Sequence, residues 1–165
     1  MKKLFLTWQD IEHRVQEVLR QMAHDGWRPD YIVGLTRGGL IPATMISEYL
    51  DIKMHTLKVS LRDHEDTECN LWMAEDAFNG KNILIVDDLN DTGATLNWIM
   101  KDWQDSCMPK DKKWKTVWNG NVRVATLLDN EASKSKLDIN YTAQNINKSV
   151  DDVWIVFPWE DWWQR

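Results

Sequence analysis

The stretch ILIVDDLNDTGATL, residues 83–96, decides the fold. It opens on a run of β-branched residues and leucine, the composition of a strand buried on both faces, and such strands belong to parallel sheets covered by helices. The chain then turns polar at Asp87 and Asp88, passes Asp91 in a DDLNDTG loop, and resumes a helical pattern from Ala94 to about Trp103. Open α/β sheets bind ligands beyond the carboxyl ends of their strands, which puts Asp87 and Asp88 at a candidate site. Adjacent carboxylates repel unless something cationic or hydroxyl-rich meets them. Gly93 lets the backbone turn tightly, and the helix after it presents free N–H groups. Thr92, Gly93, Ala94 and Thr95 therefore suit a phosphate monoester. An acidic surface turn before a capped helix is the plain alternative.

Working outward, the same strand, loop and helix succession recurs upstream. Residues 31–35 form an apolar run that leads into Thr36, Arg37, Gly38 and Gly39, and Pro42 then falls where the first turn of a helix ending near Leu50 tolerates it. Before that, Thr7 and Asp10 have capping-box spacing, and Ile11, Val15, Val18, Leu19 and Met22 share one helical face as far as Gly26. Residues 54–60, 82–86, 122–128 and 153–157 read as further strands, the last stopped by Pro158. Residues 62–80 read as a long acidic excursion with a helical turn near 72–78, and residues 109–121 as a lysine-rich loop. Strands alternating with helices predict an α/β fold: a mostly parallel twisted sheet flanked by helices with right-handed crossovers. With no internal repeat and no linker, residues 1–165 are expected to form one domain.

Composition narrows the partners. A net charge of −6 gives no general footprint for nucleic acid or an anionic membrane, so any phosphate must be held locally. Cys69 and Cys107 lack CxxC spacing, and the opening MKKLFLTW is too soon polar for a secretory signal, so a cytoplasmic location is expected. His13, His24, His55 and His64 have no metal-ligand spacing. Of eleven tryptophans, many sit in polar company, as at Trp103, Trp114 and Trp118, and exposure or a subunit interface is expected for most.

The whole run 83–96 resembles the phosphoribosyl-pyrophosphate motif of type I phosphoribosyltransferases, and TRGGLIPA resembles that family's pyrophosphate loop. The resemblance implies that Asp87 and Asp88 meet the ribose hydroxyls and Mg2+, that Asp91 is the catalytic proton acceptor, and that Thr92, Gly93, Ala94 and Thr95 hold the 5′-phosphate. It also implies that Thr36, Arg37 and Gly38 bind pyrophosphate, with a cis peptide between Thr36 and Arg37. The ending VDDVWIVFPWED is similar to that of the bacterial xanthine-guanine branch. From it follow Trp154 as the residue stacking on a purine, Val153 and Ile155 as backbone contacts to the base, and Glu160 as an acid of undefined role. LTW at residues 6–8 and the Asp63-His64 pair extend the likeness. Residues 62–80 would be a hood closing over the sugar.

The likeness departs from the family at two places. Asn130 stands where purine members carry a lysine that donates to the 6-oxo group, with Lys134 nearby as a substitute, and Leu61-Arg62 replaces the hood's Ser-Tyr pair. Asparagine donates without charge and also accepts. The function implied is Mg2+-dependent transfer of phosphoribose from phosphoribosyl pyrophosphate to guanine, xanthine or hypoxanthine. Its alternatives are a donor-binding regulator without turnover and a transferase for another base. A phospho-acceptor signalling domain also uses paired acids, but these normally follow the first strand. Relatives' habit of forming dimers or tetramers implies a homo-oligomer.

Overall fold

The computed structural model describes residues 1–59, 61 and 70–165. Along the chain come β1 (Lys2–Phe5), α1 (Trp8–Asp25), β2 (Tyr31–Thr36), α2 (Leu40–Leu50), β3 (Met54–Lys58) and α3 (Leu71–Phe78). Then follow β4 (Ile83–Asn90), α4 (Ala94–Ser106), α5 (Trp114–Val117), β5 (Val122–Asn130), β6 (Tyr141–Ile146) and β7 (Val153–Val156), with a 3-10 turn at Trp162–Gln164. Arg62, the Asp63-His64 pair, Cys69, the end of the third predicted strand at Ser60 and residues 62–69 of the expected hood lie outside the described residues, while the hood's later part, with the predicted helical turn, is α3, whose Met73, Ala74 and Ala77 are buried in the core.

Five strands form one sheet in the order β3-β2-β4-β5-β6, every neighbouring pair parallel. Strand β4 is central because both of its faces are apolar. Leu84 and Val86 pack with Ile11, Val15 and Val18 of α1 and Ala43 and Ile46 of α2. Ile83 and Ile85 pack on the opposite face with Met73 of α3, Ile99 of α4 and Val117 of α5. This is the period of two that a strand imposes. Each such side chain, buried almost completely, stabilises the fold by roughly 1.5–3 kcal/mol.

The helix boundaries follow local chemistry. Thr7 Oγ1 accepts from the Asp10 N–H at 3.0 Å while Asp10 Oδ2 accepts from the Thr7 N–H at 2.8 Å, so the predicted capping box is formed. Gly26, at φ 71°, closes α1 in the left-handed conformation. Pro42 sits in the first turn of α2 as its missing N–H requires.

Several sequence expectations need correction. Strand β4 continues through Asp87 and Asp88 to Asn90, because residues 87, 89 and 90 stay paired with β5. Strand β7 does not join the main sheet but pairs with β1, which the sequence reading missed along with β6 and α5. Both missed strands are short or polar, and β6 is an edge whose partner is β5 alone. Trp103 and Trp114 are buried, not exposed, and Trp118 is half-buried and stacks on Trp114 with ring centroids 5.5 Å apart. The Trp103 and Trp114 rings belong to the core cluster that α4 and α5 form against the sheet. Among the described residues no helix is long and apolar enough to cross a membrane.

Candidate active site

Strand order creates the site. From β2 the chain crosses to β3 on one side and then returns to place β4 on the other, so β2 and β4 are neighbours whose outgoing loops diverge. A crevice beyond the carboxyl ends of such strands is where α/β sheets hold ligands. It receives Thr36, Arg37 and Gly38 from β2 and residues 87–95 from β4.

The acid pair is held by its own backbone. Asp87 Oδ1 accepts from the Asp88 N–H at 2.9 Å, and Asp88 Oδ1 accepts from the Leu89 N–H at 2.7 Å. Burial and then the adjacent Asp88 charge push the Asp87 carboxyl well above the ordinary carboxylate range. Burial also raises Asp88, with the charge of Glu160 adding to the rise and hydrogen bonds from Asp87 and Leu89 opposing it. Like charges forced together in this way are relieved by a cation. Hard oxygen donors suit Mg2+, which is commonly held through one or two carboxylates plus substrate oxygens. Among the described residues no group of three or more His, Cys, Asp or Glu is placed to hold a metal ion.

Next to the pair is a small hollow at the start of α4. Gly93 adopts φ 89°, and a β-carbon there would fall 2.2 Å from the Ser135 nitrogen, so conformation and space both require glycine. Thr92 Oγ1 accepts from the Ala94 N–H at 3.2 Å, and the Thr92 carbonyl accepts from the Lys134 N–H at 2.8 Å. Asn97, one turn into α4, donates to the Lys134 carbonyl and accepts from the Lys136 N–H. The loop is thus braced from behind. Asp87, Asp91, Thr92, Gly93, Ala94 and Thr95 line a cavity of about 80 Å³, into which the start of α4 opens.

On the other side of Asp88 lies a wider cavity of about 620 Å³, lined by Arg37, Gly38, Asp88, Trp159, Glu160 and Trp163 among others. The Thr36-Arg37 peptide is cis. Glu160 accepts from the Phe157 N–H at 3.3 Å, and Trp159 stacks on Phe157 with centroids 4.9 Å apart. The C-terminal segment thereby forms a wall of this cavity.

The expected base-binding residues lie at the ends and faces of two different strands, β5 and β7. The Val153 and Ile155 side chains are buried in the core, with β7 paired to β1, and only their backbone was expected to meet a base. Trp154, on the other face of β7, is half exposed. Asn130 is buried at the end of β5, and its amide is engaged within the protein: Nδ2 donates to the Asp91 carbonyl at 2.9 Å, while Oδ1 accepts from Lys148 and Ala132 main-chain N–H groups. Lys134 reaches the site through its backbone. Sequence reasoning missed Lys148, whose Nζ lies 3.0 Å from Asp91 Oδ1 and 5.7 Å from the Trp154 ring centroid. No motif marks it, since it comes from the turn after the unforeseen strand β6.

An acid pair, a phosphate-sized hollow at a helix start and an arginine-glycine loop, all at one switch point of a parallel sheet, define an α/β protein suited to phosphorylated, hydroxyl-rich ligands. The chain belongs to the phosphoribosyl transferase domain family, whose model matches residues 3–162. It is similar to the xanthine-guanine phosphoribosyltransferase of Cereibacter sphaeroides, 30% identical over 169 residues that cover 96% of this chain and 87% of that one. The protein of the same description from Idiomarina loihiensis is 27% identical over 164 residues, covering 96% and 88%. Among solved structures, a purine phosphoribosyltransferase from Pyrococcus horikoshii is similar with a TM-score of 0.68 at 26% identity, covering 98% of this chain and 96% of that one.

Proposed function

We propose that this chain transfers the phosphoribosyl group of phosphoribosyl pyrophosphate to a free purine base, guanine, xanthine or hypoxanthine, releasing pyrophosphate. The observation that carries the reading is the convergence of Arg37 and Gly38 with Asp87, Asp88 and residues 91–95 at the ends of the adjacent strands β2 and β4. The descriptions of the similar proteins support a purine as acceptor.

In this reading the 5′-phosphate sits on the amides and hydroxyls of residues 92–95, and Asp87 and Asp88 face the ribose. A ring nitrogen of the base attacks the anomeric carbon, the bond from that carbon to pyrophosphate breaks, and the bonding pair leaves with pyrophosphate. Asp91 takes the proton that the base loses. Arg37 and the amides of the glycine turn neutralise charge growing on the leaving group. Asp87 and Asp88 are the residues that would hold Mg2+, which supplies further charge neutralisation to the donor's phosphates when bound. A reducing cytoplasm and a dimer or tetramer belong to the same reading. Self-association is supported by the exposed aromatics Phe5, Trp8, Trp162 and Trp163.

The direct test is pyrophosphate release with hypoxanthine, guanine, xanthine and adenine in turn, with Mg2+ and with excess chelator. Turnover on at least one oxopurine that chelator abolishes is expected. Donor binding without turnover on any base would replace the transferase with a donor-sensing regulator.

A further inference from the structure

Three segments that are remote in sequence meet beside the acid loop: residue 91 after β4, Asn130 at the end of β5, and the turn after β6. The Asn130 amide ties them together. It donates to the Asp91 carbonyl and accepts from the Lys148 N–H at 3.0 Å, so the Lys148 backbone is anchored to the loop that carries Asp91. From that anchor the Lys148 side chain runs back across the surface between two partners. Its ammonium lies 3.0 Å from Asp91 Oδ1 and 5.7 Å from the centre of the Trp154 ring. Only 18% of the side chain remains exposed, against 54% to 77% for the paired lysines Lys2, Lys81 and Lys101. Holding a lysine this still sacrifices much rotamer freedom, and exposed ion pairs alone seldom compensate for that.

The chemistry of the three groups describes a ligand edge. Trp154 offers a half-exposed aromatic face, on which a flat heteroaromatic ring can lie. Beside that face, 5.7 Å from the ring centre, the ammonium can only donate, and the Asp91 carboxylate oxygen paired with it accepts. A ring that satisfies both presents an exocyclic oxygen to Lys148 and a neighbouring ring N–H to Asp91. A ring with an amino group at the first position would set donor against donor.

We propose that Lys148 is the residue that selects the base: it donates to an exocyclic oxygen, favouring oxopurines over aminopurines, and Asn130 is the positioning residue that holds it there. This rests on the transferase reading above. The ion pair with Asp91 keeps the donor and acceptor at matching separation before the base arrives, so little rearrangement accompanies binding. The proton on the ring N–H then faces the group that receives it.

The test is steady-state kinetics of the full chain and its Lys148→Met and Lys148→Arg variants at saturating phosphoribosyl pyrophosphate, with hypoxanthine, guanine, xanthine and adenine. Lys148→Met should lower kcat/KM on the oxopurines relative to adenine roughly 10- to 100-fold, the scale of one charge-assisted hydrogen bond, so that the oxopurine preference is lost. The KM for the donor should stay within about twofold, because uniform binding of the donor is untouched. Lys148→Arg should recover part of the oxopurine activity, which also separates lost recognition from lost folding. Equal losses on all four bases, or no loss, would overturn the selection role while leaving the transferase reading intact. Absence of turnover by the unaltered chain on every base would instead sink the transferase reading, and the selection role with it.

Discussion

Gly38 lies against the Asp88 carboxylate so closely that a β-carbon at residue 38 would fall 2.2 Å from Asp88 Oδ2 and 2.5 Å from its carboxyl carbon. The loop after β2 and the acid pair at the end of β4 are therefore in direct contact, with no room for a side chain between them. Asp88 is short, half-buried and fixed by the Leu89 N–H, so it has little room to yield.

Gly38→Ala should consequently disable the donor site more than the fold. A rise of at least about 10-fold in donor KM, with a melting temperature within a few degrees of the unaltered chain, is the expected pattern, since a misplaced ligand group of ~1 Å is enough for large kinetic losses. Calorimetric donor binding and a thermal melt check it. Unchanged donor affinity would separate Gly38 from the donor.

Asp91→Asn keeps the shape of the side chain and a carbonyl oxygen for Lys148 but removes the proton acceptor. Turnover should fall by about 10²- to 10⁴-fold, while donor KM changes by less than about threefold. Single-turnover measurements with saturating donor distinguish this from a binding defect. A matching loss of donor affinity would make Asp91 a binding residue.

Asn130→Lys is expected to lower both stability and activity. The site is buried, and the substitution orphans the Asp91 carbonyl and the N–H groups of Ala132 and Lys148 while burying a charge. A loss of about 3 kcal/mol follows from leaving such groups unpaired. Denaturant unfolding gives the stability, and a gain of oxopurine activity would show that residue 130 reads the base directly.

Acid sensitivity has a source far from the crevice. At the end of α1, Asp25 Oδ2 accepts from the Tyr141 hydroxyl at 2.7 Å and from Arg123 Nη1 at 2.6 Å. The Tyr141 hydrogen bond and then, against some opposing burial, the Arg123 charge hold this carboxyl below its ordinary value of 3.8. A depressed folded-state pKa stabilises fully above the unfolded value, and that contribution disappears as pH falls through the folded one. Tyr141→Phe should therefore be less stable than the unaltered chain at pH 7, with the gap narrowing below about pH 4. Melts across that range check it, and a gap independent of pH would exclude the carboxyl as its origin.

How much was legible depends on how local the signal is. The capping box, the buried strand at residues 83–86, the tight turn at Gly93 and the glycine loop after β2 are all contiguous, so spacing alone exposes them. The two missed strands of β1 and β6 are not. Lys2–Phe5 becomes a strand through pairing with β7, and the polar Tyr141–Ile146 through pairing with β5. Tryptophan burial fails for the same reason, since Trp103 and Trp114 are defined by what α4 and α5 pack against and not by their sequence neighbours.

By itself, the amino-acid sequence determined the α/β class, the acid pair with its phosphate loop, and the arginine-glycine loop, because each is encoded in a run of adjacent residues with its own backbone requirements. Only the tertiary structure decided which strands are neighbours, that Gly38 abuts Asp88, and that the Lys148 ammonium lies between Asp91 and Trp154 while the Asn130 amide is engaged with main-chain groups. Those relationships join residues on different strands, and a one-dimensional pattern holds no record of a distance that the order of strands in a sheet creates.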